Sequence, residues 1–308
     1  MIAVLAGGVG GAKFLEGLVR VLDGERLTVI GNIGDDLDVM GLHVSPDLDT
    51  LMYMLAGLFD EERGWGIKGD SFNFLSMIER YGQEVWFRIG DKDLATHIMR
   101  SQLQAEGLTL TEVTRRLCKR LGVEVLLLPA TDDPVRTKVD TEEGLLSFQE
   151  YFVKRRFESK VRGVIFEGSE SARPSPEVLQ ALKEARGIVL APSNPVVSIG
   201  CILSIPGIKQ AMVESEARKV AVSPLIAGRA VRGPADRMLM GLGVEPTVAG
   251  VASLYEGLID TFIIGKEDIQ LTEAIRRLGM DAVVEEILMS TLESRMKLAA
   301  AVLRALEA

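Results

Sequence analysis

The chain has 308 residues, 47% of them hydrophobic but only 5% aromatic, and a formal net charge of −9. A core of that size is aliphatic and needs no cross-links, a composition suited to parallel strands buried under helices. The acidic balance excludes a nucleic-acid surface, which needs a basic stripe, and the two cysteines, Cys118 and Cys201, stand too far apart for a disulfide framework or a cysteine-built metal centre.

Met1–Ala6 is apolar, has no basic leader and runs straight into glycines, so it reads as a strand and not as a signal peptide. The longest apolar candidate, Ile188–Ile208, is broken by Pro192, Pro195 and Pro206, so no membrane span is expected and the cytoplasm is the expected compartment. Ile2–Ala6 predicts the first strand. Phe14, Leu15, Leu18, Val19 and Leu22 recur at helical spacing and predict a helix over Lys13–Leu22. Leu27–Ile30 predicts a second buried strand, completing a βαβ opening. Gly31–Asp49 reads as loop, with a helix over Thr50–Leu58 after it. Helical segments follow near Phe72–Tyr81, Leu94–Gln104 and Leu110–Leu121, with one strand-like run at Glu84–Ile89. Strand-like runs return at Glu124–Leu128, Leu145–Phe148, Val161–Phe166, Gly187–Ala191, Lys219–Val222, Thr261–Ile264 and Ala282–Val284. Helices are expected at Pro176–Glu184 and Ser290–Leu306. No repeat, low-complexity tract or linker intervenes. The expectation is one doubly wound α/β domain over residues 1–308, with a mainly parallel sheet and a helix-rich insertion at about 64–121.

In such sheets ligands gather at the carboxyl ends of strands. The loops to watch are Gly7–Gly11, Asn32–Asp49, Ser193–Ser198 and Ser223–Arg232. Gly7-Gly8-Val9-Gly10-Gly11-Ala12-Lys13 lets the backbone approach a phosphate and offers it the free amides of a helix N-terminus. The segment departs from both familiar phosphate motifs. Lys13 stands where the dinucleotide pattern needs a small residue, the second strand ends in Gly31-Asn32 with no acid, and Ala12-Lys13-Phe14 is not the Gly-Lys-Ser/Thr of a P-loop. A tight turn without ligand is the alternative.

Four aspartates besides Asp49 crowd the stretch from Gly31 to Asp49. Asp49 itself precedes a helical run, where capping is the usual task of an aspartate. Carboxylates concentrated at the same strand ends repel one another, and a divalent ion would relieve them. With only His43 and His97 in the chain, both read as packed side chains, hard oxygen ligands point to Mg²⁺ and not to zinc. Arg88 and Lys92, around Gly90-Asp91, suit a phosphate or a ligand carbonyl, or else a charged surface turn. Arg229 and Arg232 are open to the same two readings.

Six segments, taken together, carry a resemblance: Gly-Gly-Val-Gly-Gly-Ala-Lys (7–13), Asn-Ile-Gly-Asp-Asp (32–36), Ser-Pro-Asp-Leu-Asp-Thr (45–50), Arg-Gly-Trp-Gly (63–66), Gly-Asp-Lys-Asp-Leu-Ala-Thr-His (90–97) and Ala-Pro-Ser-Asn-Pro-Val-Val-Ser-Ile-Gly (191–200). In this order and spacing they resemble the 2-phospho-L-lactate transferase family of deazaflavin coenzyme F-420 biosynthesis, across essentially the full chain. The resemblance implies a Rossmann-like α/β core. It also implies Mg²⁺-dependent transfer of a 2-phospholactyl or phosphoenolpyruvyl group from a guanosine-diphospho donor to the deazaflavin alcohol Fo. GMP leaves, and the product is F-420-0 or its dehydro form. By that likeness Asp49 and Arg88 contact Fo, Gly8, Gly10, Gly11, Lys13, Ser193, Asn194 and Pro195 lie near the nucleotide, and the protein is a homodimer.

The chemistry such a transfer needs is present. The ribityl hydroxyl of Fo is a weak nucleophile, and Asp49 is the candidate to orient it or take its proton. Mg²⁺ on Asp36 and Asp49 would neutralise charge at phosphorus, although Asp49 cannot be both tight ligand and free base. Positioning and charge stabilisation suffice, without a Cys or Ser nucleophile. Trp65 is a candidate to stack on the flat deazaflavin. Two rivals stand beside this reading: a non-catalytic relative that binds a nucleotide-sugar, and a nicotinamide-dependent oxidoreductase, which the broken glycine pattern disfavours.

Overall fold

A computed structural model describes residues 1–308 apart from residues 23, 25 and 232. Seven strands form one all-parallel sheet: β1 (Ile2–Ala6), β2 (Leu27–Gly31), β3 (Leu126–Pro129), β4 (Gly187–Leu190), β5 (Arg218–Val222), β6 (Thr261–Gly265) and β7 (Asp281–Glu285). Across the sheet they run β7-β6-β5-β4-β1-β2-β3. This is the doubly wound Rossmann order, and its direction reverses between β1 and β4, where such folds open a ligand crevice. β1, β2, β4 and β6 are buried along their whole length. That burial explains why each appears in the sequence as a mostly apolar run and not as a polar–apolar alternation.

The helix Gly8–Val21 packs Phe14, Leu15 and Leu18 into the core and lies against the helices Pro46–Leu55 and Leu292–Glu307. It starts five residues before the expected Lys13, because three of its first four residues are glycines, which carry no side-chain periodicity. Pro46–Leu55 likewise begins four residues before the expected Thr50. Pro46 occupies its first turn, where a missing N–H costs nothing. Asp49 therefore sits inside this helix and does not cap it. Ahead of it, Leu37–Val39 and Leu42–Val44 form a hairpin that turns through Met40 (φ 53°) and Gly41 (φ 78°), the two successive positive angles of a tight hairpin turn.

Between β2 and β3 the chain adds the helices Asn73–Arg80, Asp91–Ala105 and Leu110–Arg120. Leu110–Arg120 lies on β3, and Asp91–Ala105 lies on the hairpin strand Leu42–Val44. The strand expected at Glu84–Ile89 is irregular backbone. Between β3 and β4 a separate antiparallel sheet forms from Arg136–Thr141, Gly144–Ser147 and Val161–Glu167. Its central strand, Arg-Thr-Lys-Val-Asp-Thr, is too polar to stand out in sequence. Among the described residues no helix is long and apolar enough to cross a membrane.

Candidate active site

Three loops leave the carboxyl ends of β1, β4 and β2 and meet. The glycine turn after β1 is stitched to the loop after β4 by Ser193. Its Oγ accepts from the Gly7 amide at 3.0 Å and donates to the Gly7 carbonyl at 2.8 Å. Gly8 has φ +62°, a conformation that side chains disfavour, and a Cβ on Gly10 would stand 2.2 Å from the Pro192 carbonyl oxygen. Glycine is therefore required at both positions. The Asn194 side chain accepts from the amides of Val196 (2.9 Å) and Val197 (3.2 Å), which folds the loop back on itself before Pro195 leads on. Gly8, Gly10, Gly11, Ser193, Asn194 and Pro195 are thus brought to one place, at the reversal of strand order. Lys13 is on the same helix, but its ammonium lies 3.8 Å from Glu61.

The loop after β2 adds a cluster of buried carboxylates. Asn32 donates to Asp47 at 2.9 Å and to Asp35 at 3.1 Å. Asp47, in the first turn of Pro46–Leu55, also accepts from the Gly8 amide and from Ser198 at 3.4 Å. It rests on the glycine turn itself. Asp36 accepts from Ser45 at 2.7 Å and lies 2.8 Å from His43 Nε2, while its Oδ1 is buried with no hydrogen-bond partner. Burial, reinforced for Asp35 by the charge of Asp47, raises both acids: Asp35 well above the usual range and Asp47 to about 6, although the Asn32 hydrogen bond pulls both down. Burial alone would lower His43, but the bond to Asp36, the charge of Asp36 and the bond to Gln104 together outweigh it and raise the imidazole. Both cysteines are buried and their thiols are pushed up, Cys118 to about 12, so neither is a ready nucleophile.

Asp49 has different surroundings. Asp47 and Asp49 are two positions apart on one helix, so they face opposite ways. Asp49 is 4% exposed and gripped by Arg100, itself 1% exposed. Arg100 Nη1 donates to Oδ2 at 3.1 Å and Nη2 donates to Oδ1. His97 Nδ1 lies 3.7 Å from Asp49 Oδ2, and its other nitrogen lies 3.3 Å from Asp93, which accepts from Tyr53 at 2.7 Å. Burial first, then the charges of Asp49 and Asp93, raise the Tyr53 phenol well above its ordinary value.

Arg88 is exposed, with its guanidinium 4.7 Å above the Phe72 ring. Arg63 lies over the same ring at 4.8 Å and over Trp65 at 5.1 Å. Lys92 donates to the carbonyls of Lys68 and Gly69. Arg229 is exposed in a short hairpin after β5, and Arg232 lies outside the described residues. Asp36 and Asp49 are both buried on the β2 side but hold different partners. Sequence reasoning counted Asp35 and Asp47 among the crowded aspartates without giving them a role of their own, and passed over Arg100. Pro46 was the available signal, because a helix starting there points Asp47 and Asp49 to opposite sides.

Fold and site together define a Rossmann-type α/β protein in which a glycine turn and a cluster of buried carboxylates meet where the strand order reverses, between β1 and β4. The chain belongs to the 2-phospho-L-lactate transferase CofD family, whose profile matches residues 2–295, and is a transferase. It is 42% identical over 304 residues to the phosphoenolpyruvate transferase of Streptomyces coelicolor, covering 97% of this chain and 95% of that one. It is 38% identical over 302 residues to the 2-phospho-L-lactate transferase of Methanosarcina mazei, covering 98% and 99%. A solved structure of a upf0052-family protein from Bacillus halodurans shares the fold, with TM-score 0.67, 16% identity and 98% of each chain covered.

Proposed function

We propose that this transferase moves a phosphoenolpyruvyl or 2-phospholactyl group from a guanosine-diphospho donor to the terminal hydroxyl of the deazaflavin Fo, releasing GMP, with Mg²⁺ required. The observation that carries the reading is the joint made by Ser193 and Asp47 on the glycine turn. It sets the N-terminus of a glycine-opened helix beside carboxylates, the arrangement a metal-bound diphosphate needs. Identity to relatives named phosphoenolpyruvate transferase, 42% and 45% for two of them, exceeds the 38% to the Methanosarcina mazei enzyme. This favours enolpyruvate as the acyl part.

The residues fit a hard cation. Asp36 offers a buried oxygen without a partner, and Asp35 and Asp47 are carboxylates held against their own repulsion. Among the described residues no three acidic, His or Cys side chains already converge on a metal position. Mg²⁺ suits such a site, because it keeps waters and takes substrate phosphates alongside one or two carboxylates. The Arg100 guanidinium already matches the charge of Asp49, so metal binding is assigned to Asp36 with Asp35 or Asp47, and the remaining lone pairs of Asp49 are left to the acceptor. Bound there, Mg²⁺ would offset charge on the diphosphate as GMP leaves. The helix amides after Gly8, at Val9, Gly10 and Gly11, hold the donor phosphates. Asp49, fixed by Arg100, accepts from and orients the Fo hydroxyl, and Arg88 meets the ring system at the exposed edge. The subunit is taken to work as a homodimer in the cytoplasm.

The test is to incubate the protein with Fo, Mg²⁺ and guanosine-diphospho donors bearing enolpyruvate or lactate, following product mass and GMP release. Dehydro-F-420-0 or F-420-0 is the expected product. Absence of both product and Fo binding would overturn the reading and leave a nucleotide-binding relative without this acceptor.

A further inference from the structure

Three residues on one face of the helix Asp91–Ala105 hold the hairpin that carries His43. Arg100 Nη1 reaches the His43 carbonyl at 3.4 Å, Ser101 Oγ accepts from the His43 amide at 2.8 Å, and Gln104 Oε1 lies 2.8 Å from His43 Nδ1. The far nitrogen of the same imidazole lies 2.8 Å from Asp36. With its remaining reach Arg100 grips Asp49 through both terminal nitrogens.

We propose that this helix is a brace, with Arg100 and Gln104 as positioning residues that set Asp49 and, through His43, Asp36 at a fixed separation. The reason is geometric. Asp36 lies on the loop after β2 and Asp49 on the helix Pro46–Leu55, and the hairpin between them turns through a non-glycine residue in the left-handed region. Such a connection does not hold two carboxylates in register unaided. A planar guanidinium bonded to both a carboxylate and a backbone carbonyl does so in a way a lysine ammonium cannot reproduce. The hydrogen-bond partners of metal-binding carboxylates govern their affinity in the same way. Arg100 is buried and its hydrogen bonds go to His43, Asp49 and His97, so it acts through the two aspartates. The inference rests on the proposed reaction for what the aspartates do, but not for how they are held.

The test uses the full chain with two substitutions and two readouts. Arg100→Lys should lower kcat roughly 10- to 100-fold while the KM for the donor stays within about threefold. It should also cause no further loss in an Asp49→Asn background. Gln104→Leu, on a half-buried side chain, should fold normally and bind Mg²⁺ about tenfold more weakly by titration calorimetry, and Arg100→Lys should weaken Mg²⁺ in the same direction. Unchanged Mg²⁺ affinity in Gln104→Leu, or losses in Arg100→Lys and Asp49→Asn that simply multiply, overturns the brace. A wild-type protein that binds Mg²⁺ but turns over none of the substrates counts against the proposed reaction alone, and the calorimetry then decides the brace by itself.

Discussion

Asp47 and Asp49 occupy one helix two residues apart, yet they stand in opposite electrostatic settings. Asp49 faces Arg100 and His97, and its charge is matched within the fold. Asp47 faces Asp35, Asp36 and the glycine turn, where backbone amides and Asn32 are its support and burial raises it to about 6. A buried carboxylate with a guanidinium is a finished structural element, costly to break and of modest net worth. Carboxylates buried together without a cation form a site that folding leaves short of positive charge. The first arrangement supports the second; in the proposed reaction the donor diphosphate and its metal belong to the second and the acceptor hydroxyl meets the first.

Five experiments test this contrast. The largest effect is expected on the finished side. Arg100→Leu leaves Asp49 buried and unpaired and should destabilise the protein by about 3–5 kcal/mol, measured by denaturant unfolding. Adding Asp49→Leu should recover much of that loss, and no recovery would mean the pair is not what Arg100 supports. On the ligand side, Gly10→Ala drives a methyl group into the Pro192 carbonyl. It should cost about 1–3 kcal/mol and abolish nucleotide binding by calorimetry; unimpaired binding would remove the glycine turn from the site. Ser193→Ala cuts both bonds to Gly7 and should cost about 1–2 kcal/mol, with donor KM rising more than kcat falls.

The smallest effect has the opposite sign. Because the folded-state pKa of Asp47 is raised, the folded metal-free protein binds more protons than the unfolded chain between the usual carboxylate value and about 6. Stability should therefore fall as pH rises through that window. Asp47→Asn should flatten the fall and stabilise the metal-free protein near neutrality by on the order of 1 kcal/mol, while abolishing turnover. Mg²⁺ should raise the melting temperature of the native sequence more at pH 7 than at pH 5. Equal shifts at both values would disconnect the metal from these carboxylates.

The amino-acid sequence alone determined the sheet. Ile2–Ala6, Leu27–Ile30, Gly187–Ala191 and Thr261–Ile264 are aliphatic because strands covered on both faces have no solvent side, and that burial is written locally. The glycine turn was equally legible, because positive φ and close backbone approach demand glycine wherever they occur. Polar elements were not legible. Arg136–Thr141 is a strand because Gly144–Ser147 and Val161–Glu167 pair with it, and pairing is not recorded in one strand's own residues. The family was legible from six ordered motifs, but the division of labour among the aspartates was not. A helix beginning at Pro46 and not at Thr50 turned Asp47 onto the glycine turn and Asp49 onto Arg100, which lies 51 positions further along the chain. Which carboxylate meets which partner depends on helix phase and on contacts distant in sequence, and these exist only once the chain has folded.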